Sequence, residues 1–244
     1  MDERLQNWYR KRCGRITSSA LKDLMTKGRG KSDKYGVGAV DYLYQKKRER
    51  RTGKPVFERD NYNFIFGHDN EPYAIAWLRH NTELDIRSCA TDFPEIVFDI
   101  HPDMDFVGDS PDFFVGDDVG EIKCPVSEAK LERLLGASRE DVVEEYRDQF
   151  CGHLSCHPKA EKLYYLVYDG THDADEFDER DPNDRTRGKL FVFRRSEFED
   201  RIAEIEARER EAWDFLLMAE EQGLPLEAIN SYLKTKEEKD NGTT

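Results

Sequence analysis

Asp112, Glu121 and Lys123 combine residue types and spacing that could do chemistry. They fall in "GDSPDFFVGDDVGEIKCPV", Gly108 to Val126, which reads as a strand, a tight turn at "GDD" and a second strand. Residues two apart in a strand share a face, so Glu121 and Lys123 project together and Ile122 opposes them. Two charges on a buried strand are costly unless they pair or bind something. A structural ion pair and a metal site are therefore both open. A hairpin of this shape can bring Asp112 close to Glu121, and two close carboxylates repel unless a cation sits between them. Oxygen donors of this kind suit Mg²⁺, which commonly takes one or two carboxylates plus substrate phosphate. The backbone carbonyl of Ile122 could add a ligand. Lys123 would then face the attacking water or the phosphate, and a metal-bound water has a lowered pKa. As bare spacing, Asp-x8-Glu-x-Lys is weak in a chain with 37% charged residues.

The elements that must position these residues follow from hydrophobic periodicity and turn chemistry. Trp8 to Arg12 reads as a short helix. Thr17, Ser18 or Ser19 could cap a second one carrying Leu21, Leu24 and Met25. Residues 27–38 read as a loop, and "AVDYLYQKKRER" and residues 64–80 as helices. Strands are predicted over 84–90, 94–100, 105–115 and 119–125, then helices over "SEAKLERLLG" and "REDVVEEYRDQFCGHLSC". "KLYYLVYD" and "KLFVFRR" read as an antiparallel pair separated by an acidic loop, residues 169–188. A long helix over 196–222 follows. The expected class is α/β (α+β): one domain, residues 1–233, with a mixed central sheet flanked by helices. Residues 234–244 are expected to be a disordered tail.

Composition bounds the setting. The 244 residues are 37% hydrophobic and 11% aromatic, enough for one sizeable core. "MDERLQNWYRKRCGR" has no apolar signal-peptide core, and runs such as "LYYLVY" are too short to span a bilayer. Five irregularly spaced cysteines suit a reducing compartment, so a soluble cytoplasmic protein is expected. The net charge of −14 is unevenly spread: residues 1–54 hold 16 Lys/Arg against 6 Asp/Glu. Basic clusters at 10–15, 27–31 and 46–51 could line a phosphate-binding surface, whereas 46–51 alone reads equally well as a solvated helix face.

Four segments, in order, resemble the lambda-exonuclease, or YqaJ-like viral recombinase, branch of the PD-(D/E)XK nucleases. "WYRKRCGRITSSA" is similar to that family's W-x3-R-x-G-x-I-T opening and "FGHDNEPYA" to its helical G-x3-E. "SPDFFVGDDVGEIKCP" resembles its S-P-D…E-x-K-C-P core, and "YRDQFCGHL" its Y-x2-Q helix. The resemblance spans roughly residues 8–168. It implies that Asp112, Glu121 and the Ile122 carbonyl bind Mg²⁺, with Mn²⁺ as a substitute, and that Lys123 is the catalytic lysine. Glu71 would support the metal site, and Gln149 and Tyr146 would line it. Arg12, Ser19 and Ser110 would hold a DNA 5′-phosphate, since guanidinium and hydroxyl donors suit phosphate oxygens. It further implies a 5′-to-3′ exonuclease on double-stranded DNA ends, leaving 3′ single strands for recombination. The family's partners would be a homotrimeric ring and a single-strand annealing protein. An endonuclease or repair nuclease on the same fold, and a catalytically silent DNA-binding module, are the rival expectations. Two departures stand out: Phe113 where the family has Gly, and Cys151 where its helix often repeats Gln.

"CGHLSCHP" invites a zinc reading through Cys151, His153, Cys156 and His157, but matches no finger spacing, and on a helix these side chains are expected to diverge. The cysteines do not show an iron–sulfur arrangement. Cys124 has no evident His partner for nucleophilic work, and the acidic run 173–184 has no EF-hand spacing.

Overall fold

The computed structural model describes residues 2–30, 33–56, 62–171 and 181–241. Helix α1 (Glu3–Arg12) starts at Asp2, whose side chain accepts from the Arg4 N–H. It ends on Arg10, Lys11 and Arg12, a charge order that the helix dipole favours. Strand β1 (Ile16–Thr17), a 3-10 turn at Ser18–Ala20 and the single-turn helix α2 (Leu21–Leu24) follow. Helix α3 (Val37–Thr52) stops at Gly53, which takes the left-handed conformation that glycine adopts at least cost. After α4 (Tyr62–Asn81) come β2 (Ile86–Ser88), β3 (Asp99–His101), β4 (Met104–Asp109), β5 (Phe113–Val115) and β6 (Asp118–Lys123). Then α5 (Glu128–Gly136), α6 (Arg139–Cys156), β7 (Lys162–Tyr168), β8 (Gly188–Arg194), α7 (Glu199–Gln222) and α8 (Ile229–Asn241) complete the described chain.

The main sheet has the order β2-β5-β6-β7-β8, and only β6 and β7 run parallel in it. A smaller sheet, β1-β4-β3, pairs β1 parallel to β4. The expected mixed sheet flanked by helices is present, with the second sheet as an addition. Strand β7 is buried on both sides, which explains its unbroken apolar run. Leu163, Tyr165 and Val167 join the larger core cluster, under α6 and α7, while Tyr164, Leu166 and Tyr168 join the smaller one beside α4. Among the described residues no helix is long and apolar enough to cross a membrane.

Several expectations need correction. The predicted strand 105–115 is two strands in different sheets. Pro111 interrupts it, since proline has no N–H for a ladder. Of the strand predicted over 94–100, only its last residues belong to β3. Neither the 3-10 turn nor α2 has a side-chain cap, and Thr17 Oγ1 and Ser18 Oγ are buried without partners. The expected disordered tail is largely helical, because Ile229 and Leu233 bury the start of α8 and Lys234 reaches Asp33 at 3.0 Å. Lys31 and residues 172–180 of the acidic loop lie outside the described residues.

Phe113 is fully buried and sits directly across the β5–β6 pair from Gly120. A Cβ at Gly120 would come within 2.2 Å of the Phe113 ring. The bulky residue at 113 is thus accommodated by the missing side chain at 120, and the strand keeps its register.

Candidate active site

The β5–β6 hairpin, α4, α6 and the segment from α1 to α2 surround a cavity of about 850 Å³. On its floor, Glu121 and Lys123 share one face of β6, as the two-residue period requires. Glu121 is 5% exposed. Its Oε1 accepts from Lys123 Nζ and from Gln149 Nε2, the latter at 2.7 Å. Its Oε2 lies 3.0 Å from His153 Nε2, a close ion pair whose N–H is not aligned for a hydrogen bond. Asp112 follows the Pro111 break, where its backbone N–H donates to the Gly120 carbonyl at 2.9 Å. Its Oδ2 accepts the Ile122 N–H at 2.6 Å. A strand residue sends its N–H and C=O to the same side, so the Ile122 carbonyl faces Asp112 as well. The opening pair of charges is therefore neither isolated nor a simple two-member bridge.

The electrostatics follow from this crowding. Burial raises the Asp112 carboxyl well above the ordinary range, and Glu121 and then Glu71 add to it. Glu71, from α4, is pushed up to about 7 by burial and by Glu121. Burial alone would raise Glu121 too, but Lys123 and His153 outweigh it and hold the carboxyl at about 2. Lys123 is raised: burial opposes its charge, and Glu121 and Asp112 more than offset that. Its Nζ also lies 5.8 Å from the Tyr146 ring centroid. Three mutually repelling acids around one point form a donor set that a divalent cation would relieve. Among the described residues no three His, Cys, Asp or Glu side chains are arranged to hold a metal by themselves. The set fits an ion that takes two carboxylates and a carbonyl and fills the rest of its shell with water and phosphate, which is the habit of Mg²⁺.

The far wall carries the predicted anion donors. Arg12 Nη2 donates to Ser19 Oγ at 2.9 Å, and its guanidinium lies 5.1 Å from the Trp8 ring centroid. The Trp8 indole N–H donates to Ser110 Oγ at 2.9 Å, which in turn donates to the Val97 carbonyl at 2.7 Å. Arg12, Ser19 and Ser110 are thereby linked through Trp8, although the strand is interrupted at Pro111, so that Ser110 and Asp112 do not share a strand face. The orphaned hydroxyls of Thr17 and Ser18 line the same wall. Gly152 lets α6 approach them, since a Cβ there would come within 2.7 Å of Ser18 Oγ.

The sequence singles out His153 and His157 only as zinc candidates, and their partner Asp109 not at all. His153 on α6 and His157, the residue that caps the end of α6, both converge on buried Asp109: His153 Nδ1 at 2.8 Å and His157 Nε2 at 3.2 Å from Oδ2. The expectation that the four residues of "CGHLSCHP" diverge is thus half corrected: Cys151 and Cys156 enter the core, while the histidines meet. Burial would raise Asp109, but the two imidazoles hold it far below the usual carboxylate range. His153 is pushed up to about 10, burial being overcome by Asp109 and Glu121. The available signal was the spacing of Gln149 and His153, which puts two polar groups on one helical stripe, with His157 following at the helix end. The basic cluster at 46–51 is only partly free: Lys46 is buried against Glu49 at 2.9 Å, and Arg50 pairs with Glu220 and covers Trp213. Burial raises the Cys124 thiol, which does not suit it to be a nucleophile.

A family model described as a YqaJ-like viral recombinase domain matches residues 7–159. No curated protein matches the chain. Among solved structures, an alkaline exonuclease (LHK-Exo) from Laribacter hongkongensis superposes with a TM-score of 0.64 at 24% identity, over 96% of this chain and 98% of that one. Its complex with dAMP gives 0.63 at the same identity and coverage. A phage related exonuclease from Haemophilus somnus 129PT gives 0.61 at 15% identity, over 88% and 98%. At these identities the likeness is one of fold.

Proposed function

The chain belongs to the YqaJ-like viral recombinase family, and from that premise we propose that it is a Mg²⁺-dependent 5′-to-3′ exonuclease acting on double-stranded DNA ends. The observation that carries the reading is the pairing, across one cavity, of a crowded acid cluster with a cationic, hydroxyl-rich wall. An enzyme that hydrolyses phosphodiesters from a 5′-phosphorylated end would use both: a place for the scissile phosphate and a place for the terminal one.

In this reading Asp112, Glu121 and the Ile122 carbonyl hold the ion, with Glu71 supporting its waters. When bound there, Mg²⁺, or Mn²⁺ as a substitute, would supply water activation and offset of phosphate charge. Lys123 supplies a fixed positive charge beside the reacting phosphate and orients the attacking water. Gln149 keeps Glu121 Oε1 turned inward, and Tyr146 packs against the lysine. Arg12, Ser19 and Ser110 receive the 5′-phosphate, so that the first bond of that strand meets the acids and the polarity of digestion follows. The basic first part of the chain draws the duplex toward the cavity.

The products suit recombination, since removing one strand from its 5′ end leaves a 3′ single strand for an annealing protein. A homotrimeric ring around the duplex would keep the enzyme on its substrate. The test uses a linear duplex labelled at its 5′ end and the same DNA as a closed circle, each with Mg²⁺. Release of labelled mononucleotides from the linear form alone is expected. Cutting of the circle would make the protein an endonuclease, and binding without cutting would make it a silent module.

A further inference from the structure

We propose that His153, backed by Asp109, is a positioning residue that fixes the Glu121 carboxylate for the ion. This rests on the metal-dependent reading above, and on geometry that the reading does not use. Glu121 Oε1 has two holders, Lys123 and Gln149, whereas Oε2 faces the His153 ring, at 3.0 Å. The ring is 1% exposed and cannot turn away to water. Its other nitrogen is 2.8 Å from Asp109 Oδ2, so both nitrogens face carboxylate oxygens, which accept and do not donate. Asp109, 2% exposed, is itself held from a second side by His157 Nε2 at 3.2 Å. His157 Nδ1 lies 3.9 Å from Asp99, which is half exposed. The result is a ladder of alternating carboxylates and imidazoles that starts at the surface and ends on Glu121.

Such a ladder orients the final carboxylate without touching DNA. With the ring removed, Oε2 loses this hold and Glu121 is freer to swing toward Lys123, closing the position that it would offer to the ion. Outer partners of metal-binding groups typically change metal affinity or activity about tenfold to a hundredfold when lost.

The test measures Mn²⁺ binding to the DNA-free protein by electron paramagnetic resonance, alongside steady-state digestion. Asp109→Asn and His153→Leu are each expected to weaken Mn²⁺ binding about tenfold or more and to lower kcat, with KM for duplex DNA nearly unchanged. His153→Gln keeps a donor toward Glu121 without the hold on Asp109, so it should fall between wild type and His153→Leu. It also stands in should the leucine variant fail to fold. The double variant Asp109→Asn/His153→Leu should bind no more weakly than His153→Leu alone, since both act through one ladder. Folded variants with wild-type Mn²⁺ affinity, or additive losses in the double, would overturn the inference. A wild type that digests no DNA yet binds Mn²⁺ sinks only the nuclease reading, and the Mn²⁺ series still decides the ladder. A wild type that binds no Mn²⁺ overturns both.

Discussion

If Arg12 holds a 5′-phosphate as proposed, wild type should prefer a phosphorylated 5′ end and Arg12→Ala should erase that preference. The guanidinium is half-buried, donates to Ser19 Oγ at 2.9 Å and rests on Trp8. Losing a charge-assisted contact to phosphate costs about 1.5–3 kcal/mol. At about 1.4 kcal/mol per factor of ten, that is roughly ten- to a hundredfold in rate if the contact is made in the transition state. Loss of the stack on Trp8, worth about 0.5–1 kcal/mol, affects every substrate and cancels in a ratio. The informative quantity is therefore the ratio of single-turnover rates on 5′-phosphate and 5′-hydroxyl duplexes. Wild type should favour the phosphate by that factor, and Arg12→Ala should bring the ratio near one. Arg12→Lys should keep part of it, since a point charge lacks the planar fork of the guanidinium. Equal wild-type rates on both ends, or an Arg12→Ala variant that slows both alike, would refute the phosphate pocket.

Asp112→Asn should abolish Mg²⁺-dependent digestion. Because burial, Glu121 and Glu71 all oppose its charge, the metal-free variant should melt no lower than wild type at pH 7, and a clear fall in Tm would contradict the crowding. Neutralising Lys27 and Arg29 should flatten the salt dependence of DNA binding, while neutralising Lys236 and Lys239 in α8 should not; equal slopes would remove the link between basic loop and DNA. Gly120→Ala should destabilise by about 1–3 kcal/mol through overpacking against Phe113, and Phe113→Leu should recover part of that in a denaturant melt. Glu209, 1% exposed with Oε2 unpartnered, is pushed up to about 8 by burial and Glu206. The fold then keeps a proton that the unfolded chain sheds near its ordinary value of about 4.3, so this stability is complete at low pH and lost as pH climbs toward 8. Glu209→Gln should accordingly outmelt wild type by a margin that widens from about pH 5 to pH 8; a constant margin would count against it.

The site was legible in sequence where its parts are local. Glu121 and Lys123 share a face because a strand repeats every two residues, and Arg12 and Trp8 meet because a helix brings residues four apart together. Convergence over distance was less legible. Asp109 and His153 are far apart in the chain, and no local pattern says that a strand end and a helix interior will meet at 2.8 Å. The strand break had a written signal in Pro111, but the apolar residues on either side imply continuity more strongly than one proline denies it. The tail failed for a different reason. Its composition suits disorder, while two buried residues, Ile229 and Leu233, are enough to start a helix that polar residues then continue.

The parallel pairing of β6 with β7 also sets an order of events in time. The two strands are separated by both α5 and α6, so the chain must close a long loop before their ladder can form. The β5–β6 hairpin, which carries Asp112, Glu121 and Lys123, is local and leaves the ribosome early. The strand that flanks it, and α7, which packs on α6, come from the last third of the chain. During synthesis the acids on this hairpin therefore lack the flanking strand β7 and the support of α7, and a truncated product ending before β7 is expected to carry every proposed site residue and yet cut nothing.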